Sequence, residues 1–359
     1  MNNINIILII LLIIIFYYNY SYNKHLFWNS SQPIYNKLSY DGIIKNIKDL
    51  KVVDIERGME IITFNKNNKK IFINFINKNF DQYIIQNSNY IDFNCGIKNI
   101  LFGILIKNEL IGTISGKYSS IKIKNNIHKS IYVDYLCLKK EFRYKHYSPI
   151  LISLIIKNMK KYNYPTAFYR LDNTKHHFKN FYESSYYYYD LKNKKNIPCI
   201  KNNDLKINIL DKNNDITIRY LYNYYKKCIS KFKIYENITY EEFSLKLKNE
   251  ISTTLIFKKN KVIIGFLTYI NVNYNIFNTL SNIIEVYYLL FIDNKYSNKI
   301  ISSFIKNIPV SYKYIYLLNN YYNNYLVQYL NMNSSNKSYF YLYNYYLKDF
   351  YNLEDCILF

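Results

Sequence analysis

An internal repeat of short strands and one helix constrains this fold more than any other feature of the 359-residue sequence. Two stretches each predict a strand, a polar turn and a second strand, and they carry Gly112 and Gly265 at matching places. The strand that follows is equally placed in both copies: Tyr135 lies 23 residues after Gly112, and Tyr288 lies 23 residues after Gly265. A predicted helix and strand come next in each copy. The sequence therefore predicts a duplicated unit of the order β-β-β-α-β.

In the first copy, the third strand leads into a basic turn and a helix. Tyr132–Leu138 alternates its side chains between two faces, as a strand does. The turn Lys139–His146 is mostly cationic, and Ser148 and Pro149 predict a helix start, with Ser148 as N-cap. The side chains expected to face the core are Leu151, Leu154, Ile155 and Met159. A helix N-terminus behind arginine and lysine predicts a pyrophosphate site, with a plain basic surface turn as the alternative.

Length and composition exclude some classes of protein. A chain of 359 residues that is 50% hydrophobic buries a large core, expected in two lobes, and is not wholly disordered. Its net charge of +23 favours a polyanionic partner such as CoA, nucleic acid or a membrane surface, although solvated lysines explain much of it. The five cysteines form no CxxC motif, which predicts reduced, mostly buried thiols in an intracellular protein without a metal site.

Residues 4–18 form an apolar stretch without charge. The stretch is shorter than the ~20 residues that span a bilayer comfortably, and it has neither a basic start nor a small-residue cleavage site. Three interpretations stay open: a short signal anchor, a helix on a membrane surface, or an apolar segment that packs on the fold. We expect a cytoplasmic protein, with membrane attachment through this segment as the favoured interpretation.

Four segments resemble, in the same order, segments of the eukaryotic N-myristoyltransferases. They are LFWNSSQPIYNK (Leu26–Lys37), ELIGTIS (Glu109–Ser115), LCLKKEFRYKHYSPILI (Leu136–Ile152) and YFYLYNYY (Tyr339–Tyr346). The resemblance implies an α+β architecture of two tandem GNAT-like halves, each a mixed β-sheet flanked by helices. It divides the chain into a hydrophobic segment and linker (1–22), an acyl-CoA-binding half (23–200), and a half for the peptide side and the C-terminal carboxylate (201–359).

The resemblance also implies a reaction, the transfer of a myristoyl group from myristoyl-CoA to the N-terminal glycine amine of a protein or peptide. Myristoyl-CoA would be a co-substrate of a monomer with no permanently bound cofactor, no metal and no nucleic-acid partner. The implied oxyanion donors are the backbone amides of Tyr135 and Leu136, and the implied general base is the carboxylate of Phe359. The apolar ending Ile357–Phe359 fits a buried terminus, and burial would raise the pKa of an α-carboxylate above its usual ~3.3–3.7.

Residues for both substrates follow from the same resemblance. Those implied for acyl-CoA are Leu26, Phe27, Trp28, Cys137, Leu138, Arg143, Tyr144, Lys145, His146, Tyr147 and Ser148. Those implied for the acceptor peptide are Tyr169, Arg170, Glu183 and Asn319. The last three depart from the family pattern. A cationic Arg170 would repel a substrate ammonium unless it pairs with a carboxylate such as Asp172 or Glu183.

Two other classes of function stay open. A divergent or inactive relative would bind acyl-CoA or peptide without normal transfer, and the departures on the acceptor side favour it. A nucleic-acid-binding module would need tyrosine and lysine side chains gathered on one face. The aromatic residues instead lie in alternating runs typical of buried strands, which argues against this third class.

Overall fold

A computed structural model describes residues 8–16, 40–80, 88–96, 98–175, 179–197, 204–276 and 279–359. Leu26, Phe27 and Trp28, which the sequence assigns to acyl-CoA, lie outside the described residues, as do both ends of the apolar stretch 4–18.

Besides a helix over residues 8–16, the described chain folds into the following strands and helices. The strands are β1 (Gly42–Ile43), β2 (Met59–Thr63), β3 (Asn99–Ile106), β4 (Glu109–Ile123), β5 (Asn126–Leu138), β6 (Thr166–Asp172), β7 (Tyr182–Asp190), β8 (Leu205–Ile209), β9 (Ile234–Glu236), β10 (Ser252–Lys259), β11 (Val262–Ile276), β12 (Thr279–Phe291), β13 (Tyr314–Leu318), β14 (Asn333–Tyr343), β15 (Tyr345–Tyr346) and β16 (Cys356–Ile357). The helices are α1 (Lys69–Asn79), α2 (Ser88–Cys95), α3 (Tyr147–Tyr162), α4 (Asp215–Ile229), α5 (Tyr240–Lys248), α6 (Ser297–Lys306) and α7 (Asn323–Leu330).

The predicted duplication is confirmed by strand pairing. In the first copy, β5 pairs in parallel with β6 over Ser130–Val133, and in the second copy β12 pairs in parallel with β13 over Ile283–Val286. Each copy also contains an antiparallel meander of three strands. In the first copy β4 pairs with β3 and β5, and in the second copy β11 pairs with β10 and β12. The fold is thus α+β, with mixed sheets flanked by helices, as the resemblance implied.

The two copies join into one sheet by exchanging strands. Strand β14, late in the chain, lies between β6 and β7 of the first copy, and β7 in turn pairs with β13 of the second. The continuous order is β16-β9-β4-β5-β6-β14-β7-β13-β12-β11-β10-β8. This exchange brings the open ends of both parallel strand pairs to the same region of the molecule.

The two repeat glycines are required by close approach. A Cβ added at Gly112 would lie 2.5 Å from Cδ2 of Leu138. One added at Gly265 would lie 2.8 Å from both Cδ1 of Ile300 and the carbonyl oxygen of Leu290. Heavy atoms do not approach so closely without displacement, so both sites favour glycine because neighbouring strands and helices leave no room.

Helix α3 begins two residues earlier than its sequence suggests. Ser148 was expected to be the N-cap, but His146 holds that position in the left-handed region, with φ 62°, and makes no side-chain capping hydrogen bond. Tyr147 and Ser148 therefore lie inside the first turn, whose N–H groups are not capped by a side chain. The predicted core face is confirmed: Leu151, Leu154, Ile155 and Met159 are all buried.

The two ends of the chain differ in burial. At the C-terminal end, β16 pairs in parallel with β9, and Cys356, Ile357 and Leu358 are buried. Phe359 itself is half-buried. At the other end, the apolar side chains of residues 8–16 are all exposed. Within the described ranges, no helix combines the length and apolar character needed to cross a membrane.

Candidate acyltransferase site

A cavity of about 330 Å³ opens where β5 and β6 separate. Their parallel pairing ends at Val133 and Tyr169, and the residues beyond those positions line the space between the strands. One wall is apolar and runs along α3, with Ile152, Ile155, Ile156 and Met159. A second, polar wall comes from both copies, with Asp134, Arg170, Asp172, Glu236 and Glu285. The cavity is therefore lined by both apolar and charged side chains.

Strand β5 bulges where it faces this cavity. Thr113 pairs with Cys137 and Ser115 with Asp134, so Tyr135 and Leu136 stand opposite the single residue Ile114. Tyr135 has φ 51° and buries its ring edge-on against Phe72, at 6.0 Å between ring centroids. Such a bulge turns main-chain groups away from the regular ladder. The sequence assigned the oxyanion donors to these two residues, and both line the cavity.

Asp134, which the sequence reasoning did not select, is held against this bulge. Its Oδ1 accepts a hydrogen bond from the Tyr135 N–H at 2.7 Å, so one of the two expected oxyanion donors is engaged by a carboxylate. Burial raises the pKa of Asp134, against the opposing effect of Arg170 and of the Tyr135 amide. The missed signal was an aspartate on the face of a predicted strand that otherwise carries leucines, Leu136 and Leu138.

Arg170 is paired within the cavity wall. Its Nε lies 3.2 Å from Oδ1 of Asp172, and its guanidinium lies over the ring of Tyr186, 5.3 Å from the centroid. Burial acts to lower the pKa of Arg170, but Asp172 and the other acidic neighbours outweigh it and raise that pKa. Of the two pairings that the sequence suggested, the structure adopts the one with Asp172. Glu183 instead accepts from Lys175 at 2.8 Å.

The polar wall carries more carboxylates than cations. Lys117 forms a buried ion pair with Glu236, and Arg170 pairs with Asp172. Glu285 accepts a hydrogen bond from the Tyr274 hydroxyl at 2.6 Å, and burial raises the pKa of its carboxyl. Asp134 and Glu285 are two further carboxyl groups of this wall that belong to neither ion pair. The polar end therefore suits a cationic group such as an ammonium ion.

The remaining residues assigned to the acceptor differ in position. Tyr169 lines the cavity and stacks on Tyr341, with ring centroids 5.3 Å apart. Asn319 is buried, and its main-chain carbonyl oxygen accepts a hydrogen bond from the Ser184 hydroxyl at 2.5 Å. Glu183 and Asn319 do not line the cavity, whereas Asn320 and Asn323 do. The sequence reasoning missed those two asparagines.

The basic turn lies outside the cavity, ahead of α3. Arg143 is anchored to the main chain: its Nε donates to the Leu138 oxygen at 3.3 Å, and a terminal nitrogen donates to the Asn79 oxygen at 3.0 Å. The Lys145 ammonium lies 5.2 Å from the centroid of the Phe142 ring. Tyr144 is fully exposed and, like His146, has a positive φ, which folds the turn back on itself.

Phe359 reaches the cavity from the second copy. Its ring packs against Tyr288 at 4.7 Å between centroids, with Tyr287 and Tyr225 at 6.0 and 6.3 Å. Leu358 and Phe359 both line the cavity. The end of the chain, the β5 bulge and the carboxylate-rich wall thus border one space.

These features define the class of fold, a GNAT-like fold present in duplicate. A GCN5-related N-acetyltransferase from Anabaena variabilis has a similar fold, with a TM-score of 0.53 at 9% identity over 79% of this chain and 72% of that one. The structure of Saccharomyces cerevisiae N-myristoyltransferase with bound myristoyl-CoA is more similar, with a TM-score of 0.75 at 18% identity over 90% of this chain and 89% of that one.

Sequence comparison finds similarity to one family over part of the chain. Residues 64–176 match the family model of the myristoyl-CoA:protein N-myristoyltransferase N-terminal domain. A putative glycylpeptide N-tetradecanoyltransferase of Amsacta moorei entomopoxvirus is 30% identical over 142 residues, which cover 38% of this chain and 47% of the viral protein. The match thus spans about half the length of that relative. By these matches the chain resembles the N-myristoyltransferases in sequence over part of its length and in fold over most of it.

Proposed function

We propose that this protein transfers a myristoyl group from myristoyl-CoA to the N-terminal glycine amine of a protein or peptide. The observation that carries the proposal is the single cavity in which an apolar wall along α3 meets a carboxylate-rich wall at the β5 bulge. The apolar wall suits the acyl chain, and the acidic wall suits the acceptor amine. Tyr135 and Leu136 of the bulge line the same cavity, and the thioester carbonyl must lie within reach of their N–H groups for the amine to attack it.

The reaction needs a polarised carbonyl and an uncharged amine. The amine nitrogen attacks the thioester carbon, the carbonyl electrons move to oxygen, and backbone N–H groups of Tyr135 and Leu136 stabilise the oxyanion. When the intermediate collapses, the C–S bond breaks, CoA leaves as the thiolate, and the nitrogen's second proton neutralises that thiolate. The products are an amide and CoA thiol. No metal or bound cofactor is needed in this sequence of steps.

The Phe359 carboxylate is our candidate for the base that deprotonates the acceptor ammonium. An N-terminal amine has a pKa of ~7.7–8.0 and is largely protonated near neutrality, so a base is required. Phe359 lines the cavity, and its ring is held among three tyrosines, which fixes the position of its main chain.

On the donor side, the basic turn ahead of α3 is assigned to the CoA phosphates. Arg143 and Lys145 supply positive charge beside the uncapped N-terminus of α3, an arrangement that attracts anionic phosphates. We also assign the exposed apolar helix at residues 8–16 to membrane attachment of a monomeric enzyme.

One observation favours the second candidate, a relative that binds acyl-CoA or peptide without transfer. The Tyr135 N–H is engaged by Asp134, so the oxyanion site lacks one of its two donors in this arrangement. A protein with that defect would bind substrates but catalyse poorly.

Mass spectrometry of the purified protein with myristoyl-CoA and a panel of glycine-starting peptides decides between the two candidates. Transfer predicts a product heavier than the peptide by one myristoyl group, and alanine-starting versions of the same peptides serve as matched controls. Tight binding of myristoyl-CoA with no product over long incubation would support the non-catalytic relative instead.

A further inference from the structure

Asp134 is placed to affect two steps of the proposed reaction, binding of the acceptor amine and stabilisation of the oxyanion. Its carboxylate lines the cavity and accepts the Tyr135 N–H at 2.7 Å, while the Ser115 hydroxyl holds its main-chain oxygen at 3.1 Å. The first contact occupies a donor that the oxyanion would need. The second fixes the backbone of the bulge. Asp134 is thus the side chain that can rotate while the main chain stays in place.

The two cations that act on Asp134 are shared with other carboxylates. Several titratable or charged groups interact electrostatically with the Asp134 carboxyl. They are Arg170 and Asp172 on β6, Lys117 on β4, Tyr132 and Tyr135 on β5, and Cys95 on α2. Both cations among them already form ion pairs, Arg170 with Asp172 and Lys117 with Glu236. A buried carboxylate in this position gains more from an ammonium ion than from a single peptide N–H.

Building on the proposed acyl transfer, we propose that Asp134 receives the ammonium group of the acceptor and, in turning to it, releases the Tyr135 N–H to the thioester oxygen. Acceptor binding and completion of the oxyanion site are then one event. In the absence of acceptor, the carboxylate keeps that amide occupied and limits attack by water on the thioester. Such hydrolysis would break the C–S bond and yield myristate and CoA thiol.

Two substitutions at this position separate the two roles of the side chain. Asp134→Asn keeps an oxygen for the Tyr135 N–H but removes the negative charge. We expect acceptor kcat/KM to fall at least about tenfold, since a charged hydrogen bond is lost, while CoA release without acceptor stays within about twofold of wild type. Asp134→Ala removes both functions. Because it frees the N–H, it should raise CoA release without acceptor by about tenfold as well as lower acceptor kcat/KM.

The assay follows CoA thiol release from myristoyl-CoA with and without a glycine-starting peptide, alongside donor affinity by calorimetry. Asp215→Ala, at a solvent-exposed ion pair with Lys248, is a matched control expected to behave as wild type in both readouts. Unchanged acceptor kcat/KM in Asp134→Asn would overturn the inference even if the alanine variant failed to fold. Equal acceptor-free release in a folded Asp134→Ala protein would overturn it too.

The same assay keeps this inference distinct from the proposed function. A wild-type protein that transfers the acyl group while both Asp134 variants match it would refute only the role of Asp134. A wild-type protein that releases no CoA with any acceptor refutes acyl transfer itself, and the inference falls with it.

Discussion

Arg170 and Asp172 form an ion pair on the same face of β6, with Nε of the arginine 3.2 Å from Oδ1 of the aspartate. Ser338 on the neighbouring β14 donates to the same aspartate oxygen at 2.5 Å. Because Asp172 neutralises the charge of Arg170, the arginine repels an ammonium ion much less. The acceptor end of the cavity therefore keeps the negative character that Asp134 and Glu285 give it.

Replacing Arg170 with threonine should destabilise the protein. The change leaves Asp172 buried without its counter-charge and removes the nearest cation from Asp134, so we expect the free energy of unfolding to fall by about 3 kcal/mol. The double variant Arg170→Thr/Asp172→Asn should recover much of that loss. Urea denaturation measures both values.

The matched control for that experiment is Lys175→Thr, which breaks an exposed ion pair with Glu183 and should change stability little. Equal losses in Arg170→Thr and the double variant would show that Asp172 is not the partner that matters.

Lys145→Ala should weaken myristoyl-CoA binding, because contacts with phosphate are largely ionic. The wild-type affinity should also fall steeply with added salt, and the variant should show a shallower dependence. Lys145 is a cleaner probe than Arg143, whose side chain also anchors the turn to Leu138 and Asn79. Calorimetry at two salt concentrations measures the effect.

Lys295→Ala provides the control, since it removes one lysine from the corresponding turn of the second copy, where the sequence carries no basic run. If both variants bind myristoyl-CoA as wild type does, the basic turn does not hold the phosphates.

Local pattern was sufficient to predict much of this fold. The strand-turn-strand units ahead of Gly112 and Gly265 follow from alternating side chains and polar turns, and residues 107–108 and 260–261 all adopt positive φ, as tight hairpin turns require. The strand predicted to end the second copy is present as β13, and the core face of α3 was predicted correctly. Each of these features depends on residues close together in the sequence.

What could not be predicted depends on long-range pairing. The insertion of β14 between β6 and β7 joins residues more than 140 positions apart, for which periodicity carries no information. The engagement of the Tyr135 N–H by Asp134 depends on a one-residue bulge, and a pattern of period two does not reveal where a strand bulges. The N-cap of α3 was misplaced for a similar reason: His146 takes a left-handed conformation that serine and proline signals do not indicate.

Lys246→Met should flatten the pH dependence of stability above neutrality. Lys246 is buried, with its ammonium 2.7 Å from the Phe93 oxygen and 3.0 Å from the Tyr287 hydroxyl. Burial, and then the nearby Lys117, lower the pKa of Lys246 to about 7. Between pH 7 and the usual lysine pKa of ~10.4, the unfolded chain binds a proton that the folded chain does not. This group therefore makes the protein more stable as pH rises through that window.

The quantity to measure is the difference in unfolding free energy between wild type and Lys246→Met, at pH 7 and at pH 9. Taking the difference cancels the titration of buried cysteines and tyrosines that both proteins share. Wild type should gain relative to the variant on going to pH 9. Parallel curves would mean that Lys246 stays protonated in the fold.

A short C-terminal tag should reduce catalysis while leaving donor binding intact. The tag converts the Phe359 carboxylate into a neutral amide and places the new terminus beyond the cavity that Phe359 lines. Loss of a general base typically costs ~10²–10⁴-fold in rate, so kcat should fall by that amount while the affinity for myristoyl-CoA, held by the first copy, stays close to wild type. The same tag at the N-terminus is the control for its bulk. Phe359→Leu adds a second comparison, because it removes the ring contacts with Tyr288 but keeps the carboxylate, and its kcat should exceed that of the tagged protein. A C-terminally tagged protein with full activity would refute the terminal carboxylate as the base and leave Asp134 as the nearest carboxylate to the β5 bulge able to take its place.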